Sequence, residues 1–300
     1  MTHNYRAILL CALASAVFFA ACVPAEEEND RIPNFDPEEN IMGQIQKDGV
    51  LKIGIEKDAA PWSSIPTSPG NPLSGPPSGF TVELGQLVAD SLGVDAEFVV
   101  PDDPGTLPAM VESGDVDIAF PLVPITEDLL VQHGLTDPYW VAHQRLLVPN
   151  GSPIESIDDL AGQGVCSIAN EETGADLELL NPAIDSMVRS TDAHECLQMI
   201  RDGEVAAVTG PDILLLTIEA VDGELAIVGD QLSTEGYGAV VSRGTGGFDA
   251  YVDGVFAEAD KELDWTKLYG KWISPITGED PPPFPTMNLE EAAALFPASD

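Results

Sequence analysis

Residues 79–126, GFTVELGQLVADSLGVDAEFVVPDDPGTLPAMVESGDVDIAFPLVPIT, constrain the fold more than any other stretch. Val82, Leu84, Leu87, Val88 and Leu92 recur at helical spacing behind Thr81, a residue suited to an N-cap. Gly93 then stops the helix. Residues 97–100 form a β-rich run, 107–111 a second short helix and 117–120 a second buried strand. Residues 121–126 leave that strand as a loop. Helix, strand, helix and strand at these lengths predict βαβ units on a parallel sheet, hence an α/β fold. Ligands bind such sheets beyond the carboxyl ends of the strands, which selects the loops 100–106 and 121–126.

The flanks extend the pattern. Residues 41–47 read as a short helix and 51–55 as the first strand. Residues 63–78 are rich in proline and glycine and read as a loop. Residues 144–148 leave the first series as a strand. A second βα series follows, with strands at 164–167, 187–189, 206–209 and 225–228 and helices at 173–180, 193–201 and 211–220. The chain returns at 237–242, and 247–259 and 265–272 are helices. The first series lacks closing helices of its own, so this tail is expected to pack back on it. The division expected is a discontinuous first lobe, 48–145 with 235–274, and an inserted second lobe, 146–234. Two crossing strands form the hinge, and the cleft between the lobes is the expected ligand site. Residues 275–300 start proline-rich and end in a short amphipathic piece at 289–295, with no role assigned.

The N-terminus reads as a targeting segment. Arg6 precedes an apolar run of fifteen residues, Ala7 to Ala21. A membrane span needs about 20 residues, so 1–21 fit a signal peptide instead. Phe19-Ala20-Ala21-Cys22 is similar to a lipobox, which makes Cys22 the expected lipidation site, with ordinary cleavage as the alternative. Residues 22–47 then hold the lipidated end and a flexible acidic tether. Fifty-one acids against twelve Lys and Arg give a formal charge of −39. Nucleic acid is excluded as a partner by the absence of a basic footprint, and anionic lipid would repel the surface. Membrane contact therefore rests on the lipid.

Cys11 leaves with the signal peptide, and Cys22 is acylated. Cys166 and Cys196 remain, an even pair in an exported chain, on a predicted strand and the adjoining helix. A disulfide is expected; two buried free thiols are the alternative. No GxSxG, Walker, HExxH or dinucleotide fingerprint occurs, and His133, His143 and His194 show no metal spacing and read as surface residues. No enzyme, metal or cofactor is expected.

GFTVEL, LGVDAEFV, LPAMVESGDVDIAF, PIT, LTDPYW, LLVPNGSPIESIDDLAGQGVC, CLQMIRDGEVAAV and YGAVVS, in this order, resemble the amino-acid-type (family 3) solute-binding proteins of ABC importers. The resemblance covers roughly residues 50–274 and includes the glutamate-binding lipoproteins of Gram-positive bacteria, which have a similar cysteine pair. It implies a type II periplasmic-binding-protein fold of two lobes, each a mostly parallel sheet flanked by helices. It also implies an extracytoplasmic monomer that hands a small solute to an ABC transporter permease. By the same resemblance the ligand-binding positions are Trp62, Asp103, Leu122, Pro124, Leu129, Thr173, Gly174 and Asp212. Several depart from the family. Pro124 and Leu129 stand where a Thr and an Arg hold the ligand carboxylate, Pro211 stands for an ammonium-binding Asp, and Asp103 stands for an aromatic. Trp62 matches an aromatic that packs against ligand. With Glu171 and Glu172 near Thr173, these departures point to a cationic solute rather than a standard α-amino acid, unless Arg145 replaces the lost guanidinium. An orphan sensing lipoprotein is one alternative, and a relative of cyclohexadienyl dehydratase a remote one.

Overall fold

A computed structural model describes residues 32–66, 75–168, 177–244, 246–261, 264–278 and 280–295. The chain divides into Met1–Pro33 and Asn34–Asp300, and every element below belongs to the second unit. The signal peptide, Cys22, Glu171, Glu172, Thr173 and Gly174 lie outside the described residues. No helix of the described residues is long and apolar enough to cross a membrane.

In chain order the strands are β1 (Val50–Gly54), β2 (Asp95–Val99), β3 (Ile118–Ala119), β4 (Gly134–Leu135), β5 (Trp140–Pro149), β6 (Gly164–Ile168), β7 (Ser186–Ser190), β8 (Ala207–Pro211), β9 (Leu225–Tyr237) and β10 (Val240–Val241). The helices are α1 (Ile41–Asp48), α2 (Phe80–Leu92), α3 (Leu107–Ser113), α4 (Glu127–Gln132), α5 (Ala193–Arg201), α6 (Asp212–Val221), α7 (Phe248–Lys261), α8 (Asp264–Trp272), α9 (Ser274–Thr277) and α10 (Leu289–Ala293). One five-stranded sheet runs β2-β1-β3-β10-β4, and a second runs β9-β5-β8-β6-β7. β1 is parallel to β2 and β3, and β6 is parallel to β7 and β8. The late strand β10 enters the first sheet antiparallel, and β5 and β9 run antiparallel in the second. The α/β expectation holds, with mixed rather than wholly parallel sheets.

α2 starts two residues earlier than Thr81 suggests. Its N-cap is Gly79, at φ +144°, where an added Cβ would stand 2.1 Å from the Trp62 carbonyl oxygen. Only glycine fits that close approach. The Thr81 hydroxyl instead donates to that same carbonyl at 3.0 Å. Gly93 ends α2 in the left-handed conformation, as the sequence predicts. The buried face of α2, Phe80, Leu84, Val88 and Leu92, packs on β1 and β3 with the returning α7 and α8. Each such side chain contributes roughly 1.5–3 kcal/mol of burial. Cys166 on β6 and Cys196 on α5 are joined by a disulfide, with 5.4 Å between their Cα atoms.

Two segments differ from the sequence reading. The expected tether ends sooner, because Phe35 packs edge-on to Tyr251 of α7 at 5.4 Å and Asn40 caps α1. The C-terminal residues also have a seat. Phe284 packs edge-on to Trp265 at 5.0 Å, and the Trp265 indole N–H donates to the Pro282 carbonyl. α9 packs against α6 of the second sheet. α10 buries Ala292 and Ala293 beside β9 and β10. Gly236 makes room for it, since a Cβ there would lie 2.9 Å from Ala292 Cβ. The Leu289 amide donates to Asp137, whose own amide donates to Asp253 of α7.

Candidate functional site

The three parallel strands of the first sheet end at residues 55–57 after β1, 100–106 after β2 and 121–126 after β3. The first and last of these loops meet. Glu56 is half-buried, and its Oε1 accepts from the Leu122 amide at 2.8 Å. Burial raises the Glu56 pKa, and the Leu122 hydrogen bond offsets part of that rise. A carboxylate thus heads the loop where the resemblance implies a Thr and an Arg for anions. Pro124 is buried, Leu122 packs against the main core and Leu129 against the second apolar cluster of this sheet. The Thr126 hydroxyl is taken by the Leu129 amide at 3.0 Å, capping α4.

The floor between the sheets is the pair β5 and β9. Trp140 faces Tyr237, Ala142 faces Glu235 and Gln144 faces Ser233. Opposed residues share a face, so Glu235 and Tyr237 lie on one face with Ala142 and Gln144. Val141, His143 and Arg145 alternate onto the other. Glu235 is 1% exposed; it accepts from the Tyr237 hydroxyl at 2.9 Å and from Ser233 at 3.3 Å. Burial raises its pKa against those hydrogen bonds, and the Asp212 charge raises it further. Tyr139 is fully buried, and its hydroxyl has no partner among the described residues. Burial, with the Glu56 charge nearby, pushes its ionisation up. Among these acid and phenol groups, Tyr237 and Glu235 are hydrogen-bonded, and Glu56 and Tyr139 feel each other only through charge.

The opposite face of β5 holds a different feature, a pocket of about 390 Å³. Arg145 and Asp212 line it. Arg145 donates from Nη2 to the Gly229 carbonyl at 2.6 Å, at the register shift in β9. Asp212 accepts from the Ile213 amide at 2.8 Å. Burial raises the Asp212 pKa, while the His143 amide and the His143 and Arg145 charges pull it down.

The predicted site residues are thus separated. Trp62, expected to face ligand, is buried edge-on between Phe80 and Trp140, at 5.5 and 4.9 Å, and belongs to the core. Asp103, expected beside the cleft, is exposed and caps a 3₁₀ turn through the Gly105 amide at 3.0 Å. Asp212 joins Arg145 rather than Leu122 and Pro124. His194 is exposed as expected, but His133 and His143 are half-buried, His133 against Glu112 and His143 against the Ser233 carbonyl. Glu56, Tyr139 and Glu235 are not singled out by the sequence reading. Only Glu56 carried a signal, its place directly after a strand of a parallel sheet.

The family model of the bacterial extracellular solute-binding proteins, family 3, matches residues 51–275. The chain belongs to this family. A glutamine-binding protein of an ABC transporter from Bacillus subtilis (strain 168) is 23% identical over 278 residues, covering 91% of this chain and 97% of the relative. An ancestral arginine-binding protein solved with arginine is 27% identical at a TM-score of 0.61, covering 75% of this chain and 98% of that one. The ancestral amino-acid-binding precursor of cyclohexadienyl dehydratase shares the fold, at a TM-score of 0.63 and 23% identity, over 78% and 99% of the two chains. This solute-binding family member therefore has the type II periplasmic-binding-protein fold, as the motifs imply, and its named relatives are binding proteins.

Proposed function

We propose that this family 3 protein is the extracytoplasmic receptor of an ABC importer, and that its solute is a small amino-acid-like molecule held by positive charge. The observation that carries the reading is Glu56, a half-buried carboxylate fixed on the Leu122 amide at the head of the 121–126 loop. A second carboxylate at 4 Å would be repelled by about 4 kcal/mol at an effective dielectric of 20, nearly three decades in affinity. A cation gains from the same field. Leu129 gives no guanidinium here, and Arg145 lies on the other face of β5, tied to Gly229. The arginine-bound ancestral relative supports a basic solute. Delivery to a permease rests on the relatives, among which the Bacillus subtilis protein is named for an ABC transporter. Attachment by lipid at Cys22 rests on the apolar run and its Ala20-Ala21-Cys22 end.

Calorimetry against basic, neutral and acidic amino acids and polyamines tests the solute. A basic solute should bind, and Glu56→Gln should weaken it at least about tenfold. Tight glutamate binding that ignores Glu56→Gln would overturn the cationic reading. Labelling with a fatty-acid probe tests the anchor: it should mark the wild type and spare Cys22→Ala.

A further inference from the structure

The pocket on the far face of β5 is separate from the cleft loops, since Glu56, Leu122 and Pro124 do not line it. At about 390 Å³ it falls at the small end of the roughly 300–1,000 Å³ of ligand sites. Its walls come from β5, β9, α6, α8, α9 and the proline segment 282–285. They are mostly apolar, with Ile213 and Leu216 on one side, Trp265 and Tyr269 on another, and the prolines over the top. Two opposite charges, Arg145 and Asp212, interrupt them, with the polar groups of His143, Gln231 and Thr277 beside these.

The Arg145 guanidinium is held in place by the Gly229 carbonyl through Nη2, and its Nε is buried with no hydrogen-bond partner among the described residues. The indole N–H of Trp140, another wall residue 7% exposed, is likewise buried without one. Buried donors left without acceptors are costly, so a ligand acceptor that reaches these two N–H groups is favoured. A carboxylate is the strongest acceptor for a guanidinium. Asp212, half-buried beside it, suits an ammonium group. The apolar remainder suits a hydrocarbon or aromatic side chain.

We propose that this pocket is a second solute site, which takes a zwitterionic amino acid with an apolar or aromatic side chain. Arg145 holds the carboxylate, Asp212 holds the ammonium group, and the side chain lies against Trp265, Tyr269 and the prolines. Such a ligand touches both crossing strands, α6 of the second sheet and the C-terminal segment packed on the first. It therefore ties together the parts that a hinge must move.

Titration of the mature chain with L-phenylalanine and L-leucine, by calorimetry and by the emission of Trp140 and Trp265, tests this. One equivalent should bind with an emission change. Arg145→Gln should weaken it at least about tenfold, as loss of a charge-assisted contact does. Leu216→Trp, which fills the pocket, should abolish it. Both variants should keep their cleft ligand, and Leu216→Trp decides the matter if Arg145→Gln does not fold. No binding at millimolar amino acid would overturn the proposal. So would binding that Glu56→Gln removes and Leu216→Trp does not, which places the ligand in the cleft. The cationic reading of the cleft stands or falls separately, on the basic solute alone.

Discussion

A half-buried acid with a raised pKa is both a binding group and a liability, and Glu56 shows both sides. Its ionised form is disfavoured by burial, so it weighs against the ligand-free fold near neutral pH. Glu56→Gln keeps an oxygen for the Leu122 amide and removes the charge. The unliganded variant should melt higher than the wild type while losing affinity for cations, a trade of stability against function. Calorimetric melting with and without solute checks both signs. Asp253 gives a second titration. Burial and the Asp137 and Asp249 charges raise its pKa from 3.8 to about 7. The folded state then binds this proton more tightly than the unfolded state. The contribution is complete below about pH 4 and lost as pH rises through about 7. Asp253→Asn should therefore flatten the fall of melting temperature between about pH 5 and pH 8, most visibly at the alkaline end. At this scale the sequence was least informative. The packing of Trp62 into an aromatic core and the capping of the Pro104-Gly105 turn by Asp103 depend on contacts that no sequence period encodes.

Elements were far more legible, because hydrophobic period and glycine stops act locally. α5 spans residues 193–201 as expected, and α2, α3, α7 and α8 lie within about two residues at each end. The main miss is β9, a strand of 13 residues where only 225–228 and the return at 237 had been expected. Its middle, Gly-Asp-Gln-Leu-Ser-Thr-Glu, shows no alternation, and its pairing is imposed by β5 from far away in sequence. The disulfide belongs to this scale as well. It closes a loop with a sequence separation of 30, worth about 3–4 kcal/mol in the chain-entropy model. Reduction, or Cys196→Ala, should lower the urea midpoint accordingly; a shift of only a few tenths of a kcal/mol would show that the bridge adds little.

At the scale of the whole molecule, the two βα series and the return of the tail to the first sheet followed from chain order. The place of residues 280–295 did not, because contacts such as Ala292 on Gly236 are invisible before the fold exists. Truncation after Gly278 uncovers Trp265 and the face of β10, and should cost on the order of 3 kcal/mol. Denaturant titration reads this, and a variant as stable as the full chain would mean the segment is merely draped there. The crossing strands have a mechanical consequence. They are not two independent cords: residues 140–144 are laddered to 233–237 along the passage between the sheets. A laced ribbon resists shear and stretch but bends across its flat face. Such a ribbon favours a single swing, like a door on one long pin, with flexure gathered where the lacing is interrupted, at the register shift between Val228 and Ser233.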